Sequence, residues 1–198
     1  MQAGADLLAE RSIDAIPVND IVERAGVAKG SFFNHFIDKD DFAAAIATDI
    51  RIQLDDRVTA ANAGVTDAAA RMARGICSFV QFALTDDKAA RIMLRGHPRA
   101  THADHPMNAG VRADIARGAA SGRFTVESED AALIYVTGAC QMLMGAVLGR
   151  TLSPSEAAGL TARTLTMILS GLGVSRDEAS ALAISAAAEI ADSQAAQD

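Results

Sequence analysis

Residues 18–42, VNDIVERAGVAKGSFFNHFIDKDDF, constrain the fold more than any other stretch of this chain. Ile21, Val22, Ala25 and Val27 form an apolar set. Gly26 stands where a helix ends in the left-handed conformation that only glycine adopts cheaply. A second short helix opens near Ala28 and carries Lys29, Ser31, Asn34 and His35. Phe32 and Phe36 are four apart, so they share a face and can pack inward. Ser31, Phe33, Asn34 and His35 then fall on other faces, open to a partner. A short helix that buries two aromatics and displays small polar groups suits the DNA major groove.

The rest of the 198-residue chain reads as helix. Half of it is hydrophobic, with much Ala and only four Pro. Ala favours helix, and the strand formers are not grouped in alternating runs. The expected fold is therefore all-α: an N-terminal three-helix helix-turn-helix head, residues 1–43, on a larger helical body, residues 44–198. Apolar spacing and caps predict helices over about Ala3–Arg11, Val18–Ala25, Ala28–Phe36 and Lys39–Ala61. Asp38 would cap the last of these, and Asp41 three residues on would complete a weak capping box. Asn62-Ala63-Gly64 breaks it. Further helices are predicted over about Asp67–Leu84, Lys88–Arg95 and 109–120. Two more, capped by Ser128 and Ser153, run to about Leu148 and Leu172, and a last one opens at Ser175. The two capped by Ser128 and Ser153 are apolar on more than one face, with Gly138, Gly145 and Gly149 among them, so each needs a partner on more than one side. No run of eighteen apolar residues occurs, so no membrane span is expected. Cys77 and Cys140 match no metal or redox spacing and read as buried thiols in a cytoplasmic protein.

The segment ADLLAER at 5–11, then VNDIVERAGVAKGSFFNHF and IDKDDF, resembles the N-terminal signature of the TetR family of bacterial transcriptional regulators. The specific part covers about a fifth of the chain. The resemblance implies a homodimer joined through the last two main helices, and a body that binds a small, mostly apolar effector. It also implies an operator-binding head: Lys29, Gly30 and Ser31 opening the recognition helix, with Phe33, Asn34, His35 and Lys39 on the DNA. Asn34 would read adenine, and His35 and Lys39 would contact phosphate. The chain departs from the family at Ser12, usually Gly; at Pro17, usually a Thr cap; and at Phe33, often a Tyr that reaches phosphate. The family also carries an arginine-rich arm and a further turn ahead of helix one, whereas Met1 falls inside the segment matching that helix.

Charge argues the other way. The chain carries −7 overall, and the first fifty residues hold four Lys/Arg against nine Asp/Glu. Nucleic-acid binders are usually basic, so a local face built from Lys29, Lys39 and Arg24 would have to suffice, with weak non-specific binding as the consequence.

In the body, Phe79, Met93 and Met142, with Met72, Phe82 and Met144, are candidates to line an apolar effector pocket, Met being adaptable to varied ligands. Residues 96–108, GHPRATHADHPMN, are the one irregular stretch. His97 and His102 there are candidates for the same pocket. With His105 and Asp104 they could also hold Zn or Ni, although spacings of five and three match no known ligand pattern. No Ser/His/Asp order or phosphate loop occurs. The expected function is a ligand-released repressor that binds a palindromic operator as a homodimer, without enzyme activity, metal or cofactor. Two alternatives stand beside it: a protein of this fold with weak or lost DNA binding, and a metal-dependent helical enzyme built on the His97–His105 loop.

Overall fold

A computed structural model describes residues 2–95, 108–150 and 152–195. Its helices are α1 (Gln2–Glu10), α2 (Val18–Ala25), α3 (Lys29–His35), α4 (Lys39–Ala61), α5 (Ala68–Thr85), α6 (Asp87–Leu94), α7 (Ala109–Ala120), α8 (Glu129–Arg150), α9 (Pro154–Gly171) and α10 (Arg176–Ala195). A short 3-10 turn at Ile13–Ala15, which the apolar spacing did not predict, joins α1 to α2.

The caps fix the boundaries. Asp38 accepts from Asp41 N at 2.8 Å, while the Asp41 carboxylate accepts from Ile37 N at 3.0 Å, so the exchange is shifted one residue from a true capping box. Asp67 and Asp86 cap α5 and α6. Ser128 caps α8. Ser153 and Glu156 form a full capping box on α9, with Pro154 in its first turn. Pro17 stands at the start of α2 and offers no side-chain cap. Its carbonyl instead accepts from Asp20 N at 3.0 Å. Gly26 closes α2 at φ +66°, the left-handed conformation the sequence calls for there.

Two apolar clusters result. One is the body core: α5 lies at its centre, with Ile76 and Val80 against Leu133 and Val136 of α8, Leu165 and Leu169 of α9, and Ile190 of α10. The other starts in the head with Leu7, Leu8, Ile21, Val22 and Phe32. It continues along Phe42, Ile46, Ile50 and Leu54 of α4 and ends against Phe82, Ile92 and Met144 of the body. The 23-residue α4 therefore crosses the expected 43/44 boundary as one helix and carries a shared core across it.

The outer faces of α8 and α9 remain apolar. Ile134, Met142 and Met167 are 66%, 76% and 70% exposed. A Cβ placed on Gly138, Gly145 or Gly149 meets nothing within 4 Å. Among the described residues α8 alone is long and apolar enough to cross a membrane by length and composition, and 33% of that stretch is buried inside the chain.

Candidate DNA interface and effector cavity

The recognition helix α3 rests on an aromatic raft. Phe32 is 5% exposed, and its ring lies 5.4 Å from Phe36 and 5.5 Å from Phe42. Phe33, one residue on, is 50% exposed and meets Phe32 edge-on at 5.3 Å. Burying Phe32 turns Lys29, Gly30, Ser31, Phe33, Asn34 and His35 outward, and all six are exposed. No side chain caps the start of α3. A Cβ at Gly30 would meet nothing within 4 Å, so packing within the chain places no demand for glycine there.

The head's other cations are occupied. Arg11 lies 3.6 Å from Asp20 and Arg24 3.8 Å from Glu10. Lys39 is half-buried and donates to the carbonyls of Ile13 at 3.1 Å and Asp14 at 3.0 Å. It pins the α1–α2 connection to the start of α4, a role its sequence position did not disclose. Lys29 makes no ion pair among the described residues.

Head and body are tied through α6. Lys88 reaches Asp6 of α1 at 2.7 Å. Arg95, just past α6, donates to the carbonyl of Leu8 at 3.2 Å and to that of Ala9 at the end of α1. The Asp6 carboxyl is held below its ordinary 3.8, first by the hydrogen bond from Lys88.

A cavity of about 630 Å³ lies in the body between α4, α5, α7 and α8. Phe79 and Met93, two of the predicted pocket residues, line it, as do Met72 and Met144. Phe82 is fully buried in the core instead. Met142 points out of the body on the exposed face of α8 and does not reach the cavity, because its neighbours Leu143 and Met144 take the inward positions. His97 and His102, with His105 and Asp104, lie outside the described residues. Among the described residues no three His, Cys, Asp or Glu side chains come together as a metal site.

Part of the cavity wall is polar, and spacing had singled out none of its residues. Arg71 Nε donates to Asp114 Oδ1 at 2.7 Å, and Arg117 donates to the same oxygen at 2.9 Å. Arg51 and Asp55 pair at 2.8 Å. Asn62, in the sequence a mere helix breaker, is 4% exposed and lines the wall. Cys140 also lines it, and burial pushes its thiol up to about 12.

The family model described as "Bacterial regulatory proteins, tetR family" matches residues 1–46. A second, described as "Tetracyclin repressor-like, C-terminal domain", matches residues 67–185, more than half of the chain. The uncharacterized HTH-type transcriptional regulator YwcC of Bacillus subtilis (strain 168) is 48% identical over 42 residues, which are 21% of this chain. The match spans 19% of YwcC's length, so it speaks for about a fifth of either chain. The structure of RolR without ligand aligns at TM-score 0.63 and 24% identity, over 92% of this chain and 93% of that one. Its complex with resorcinol aligns at 0.58 and 23%, over 92% and 89%. A TetR-family transcription regulator from Shewanella sp. PV-4 aligns at 0.75 with 14% identity, over 86% and 94%. With its head and its body each matching a model of that family, and its fold shared with these proteins, the chain belongs to the TetR family of bacterial regulators.

Proposed function

We propose that this protein is a ligand-responsive, operator-binding transcriptional repressor that acts as a homodimer. The observation that carries this reading is the division of labour on α3: one aromatic face buried, and the face bearing Lys29, Ser31, Phe33, Asn34 and His35 open. Such a helix can enter a major groove while its raft holds it rigid. Gly30 allows close approach of the DNA backbone. Lys39, with two of its three donors on backbone carbonyls, has one left for a phosphate.

A second head comes from a second copy. Ile134, Met142 and Met167, with Gly138, Gly145 and Gly149 between them, present apolar, close-approach surfaces on α8 and α9. Packing those helices against their twofold mates covers this face and pairs two recognition helices for a palindromic site.

The cavity is the effector site. RolR, of the same fold, has been solved with resorcinol, and here the cavity wall is largely apolar. Met93 sits on α6 and faces the cavity, while Lys88 and Arg95 at the two ends of that helix grip α1. A ligand that binds one setting of α6 better than the other shifts the angle of the heads; equal affinity for both would shift nothing.

The acidic head favours a second reading, a ligand-binding protein with weak DNA affinity, because Arg11 and Arg24 are already paired with carboxylates. Fluorescence anisotropy against the upstream intergenic DNA, over a salt series, decides between them. Tight binding that falls steeply with salt, with Lys29→Ala lowering the slope by about one, supports the repressor. Salt-independent or absent binding supports the alternative.

A further inference from the structure

We propose that Phe33 reads thymine in the operator, its ring packing on the C5-methyl group of one base in each half-site. This rests on the protein binding an operator and adds the base that the ring selects.

Two choices on one turn of α3 are unfavourable for the chain alone. Of the large apolar side chains that the head exposes among the described residues, Val27, Phe33 and Ile37, only Phe33 lies within a helix. It is 50% exposed, so half of its ring is hydrated. Gly30 stands three residues earlier, in the first turn of the same helix, with a backbone entropy cost that alanine avoids. A Cβ there would meet nothing within 4 Å, so no packing within the chain requires the glycine. Geometry links the two. Helical side chains three and four apart share a face and lean toward the N-terminus. The Phe33 ring therefore covers the turn that holds Lys29 and Gly30, and the missing Gly30 side chain leaves that side of the ring bare.

The ring is also held in place. Phe32 meets it edge-on at 5.3 Å, and Phe36 and Phe42 fix Phe32 in turn at 5.4 and 5.5 Å. A contact made by such a ring loses little side-chain freedom.

The chemistry of the groove selects the contact. A phenyl ring has no donor, so it offers a phosphate nothing and would strip water from it. Base edges in the major groove carry hydrogen-bonding groups that a ring leaves unpaired, and the thymine C5-methyl is the apolar group among them. In a helix-turn-helix the N-terminal residues of the recognition helix face the base edges. Phe33 stands one turn into α3, and its lean carries the ring toward that end. Lys29, Ser31, Asn34 and His35, exposed on the same helix, are all polar and can serve phosphates and hydrogen-bonding edges.

The test is a uracil scan. The full chain first selects a duplex from a randomised pool. Each thymine of that duplex is then replaced in turn by uracil, which removes the methyl group and keeps the base pair. Fluorescence anisotropy reads the affinity. The expected result is one thymine position whose replacement in both half-sites lowers affinity about tenfold, the weight of two methyl groups left in water. In Phe33→Ala the same replacement should change nothing, and the salt slope should stay that of the wild type, because no phosphate contact is lost. Should Phe33→Ala fail to fold, Phe33→Gln, which keeps a long side chain beside Phe32, takes its place. A duplex indifferent to uracil at every thymine overturns the inference. So does a sensitivity that persists in the Phe33 variant, since another side chain then reads the methyl, or a salt slope lowered by about one, since the ring then acts through a phosphate. Tight, salt-dependent binding without any uracil effect sinks the thymine contact and leaves the repressor standing. If no duplex is selected and the upstream intergenic DNA is not bound, both fall together.

Discussion

Phe32 and Phe33 are adjacent, chemically identical and on one short helix, yet they do different things, and truncating each to Ala separates them. The Phe32 side chain is 5% exposed and enclosed by Phe33, Phe36 and Phe42 at ring distances of 5.3–5.5 Å. Removing a buried Phe costs about 3–5 kcal/mol, a sum of lost transfer energy and the hole left behind. Against a typical total of about 5–15 kcal/mol that is a large part of the stability. Phe33 is half exposed, with the edge-on contact to Phe32 as its ring partner. Half the burial energy of a Phe, about 1 kcal/mol, plus one aromatic pair of about 0.5–1.5 kcal/mol, sets its cost at about 2 kcal/mol. Urea melts followed by far-ultraviolet circular dichroism should show Phe32→Ala shifted well below Phe33→Ala. Operator anisotropy at concentrations where both are folded should show the reverse: Phe33→Ala weakens binding by about tenfold, the weight of one base contact, and folded Phe32→Ala weakens it less. Equal destabilisation by the two changes would refute the division of α3 into a packing face and a reading face. So would unchanged operator affinity in Phe33→Ala.

Other consequences are more local. Ile134→Glu places a charge on the open apolar face of α8 and should convert dimer to monomer in sedimentation, with operator binding lost as the second head departs; a dimer that persists refutes the α8–α9 interface. Asp67 loses solvent, which would raise its carboxyl, but Arg123 Nε at 2.6 Å and the backbone N–H of Ala70 more than offset this and hold it below its ordinary 3.8. A lowered carboxyl contributes stability that is full above 3.8 and fades as pH falls through the lower folded value. Asp67→Asn should therefore be less stable at neutral pH and should lose less on acidification, as thermal melts between neutral and acid pH will report; parallel acid curves would count against it. Burial pushes the Cys77 thiol up to about 12, so in native protein at neutral pH Cys77 should alkylate slowly with iodoacetamide and rapidly once unfolded. Fast labelling of Cys77 in the native form, read by mass spectrometry, is the contrary result.

The head was legible because its information is local. Gly26 at its left-handed φ, the Phe32/Phe36 spacing and the Asp38 cap each act within one turn of chain, and a linear reading captures such interactions. The helices from Lys39 to the last Ala-rich segment were legible for the same reason, since caps such as Asp86 and the Ser153–Glu156 box are spelled out over four residues. The 3-10 turn at Ile13–Ala15 was not, because it depends on Lys39, more than twenty residues downstream, reaching back to two of its carbonyls.

The cavity was legible in kind and not in detail. Composition pointed to Met and Phe in the body, and Phe79 and Met93 are there, but Met142 and Met144 could not be told apart. On a helix apolar all the way round, two residues of spacing put one side chain in the cavity and the other outside, and only the neighbours of α8 decide which. The polar part of the wall is further from reach: Asn62 just past α4, Arg71 from α5 and Asp114 from α7 are far apart in the sequence, and no periodicity joins them. The sequence by itself determined the helices, their ends and the face of α3 left exposed, because hydrogen bonds and steric preferences between near neighbours set these. Tertiary structure decided which cations remain free and which methionines face inward, because burial and charge pairing are properties of side chains that meet only when the chain has packed.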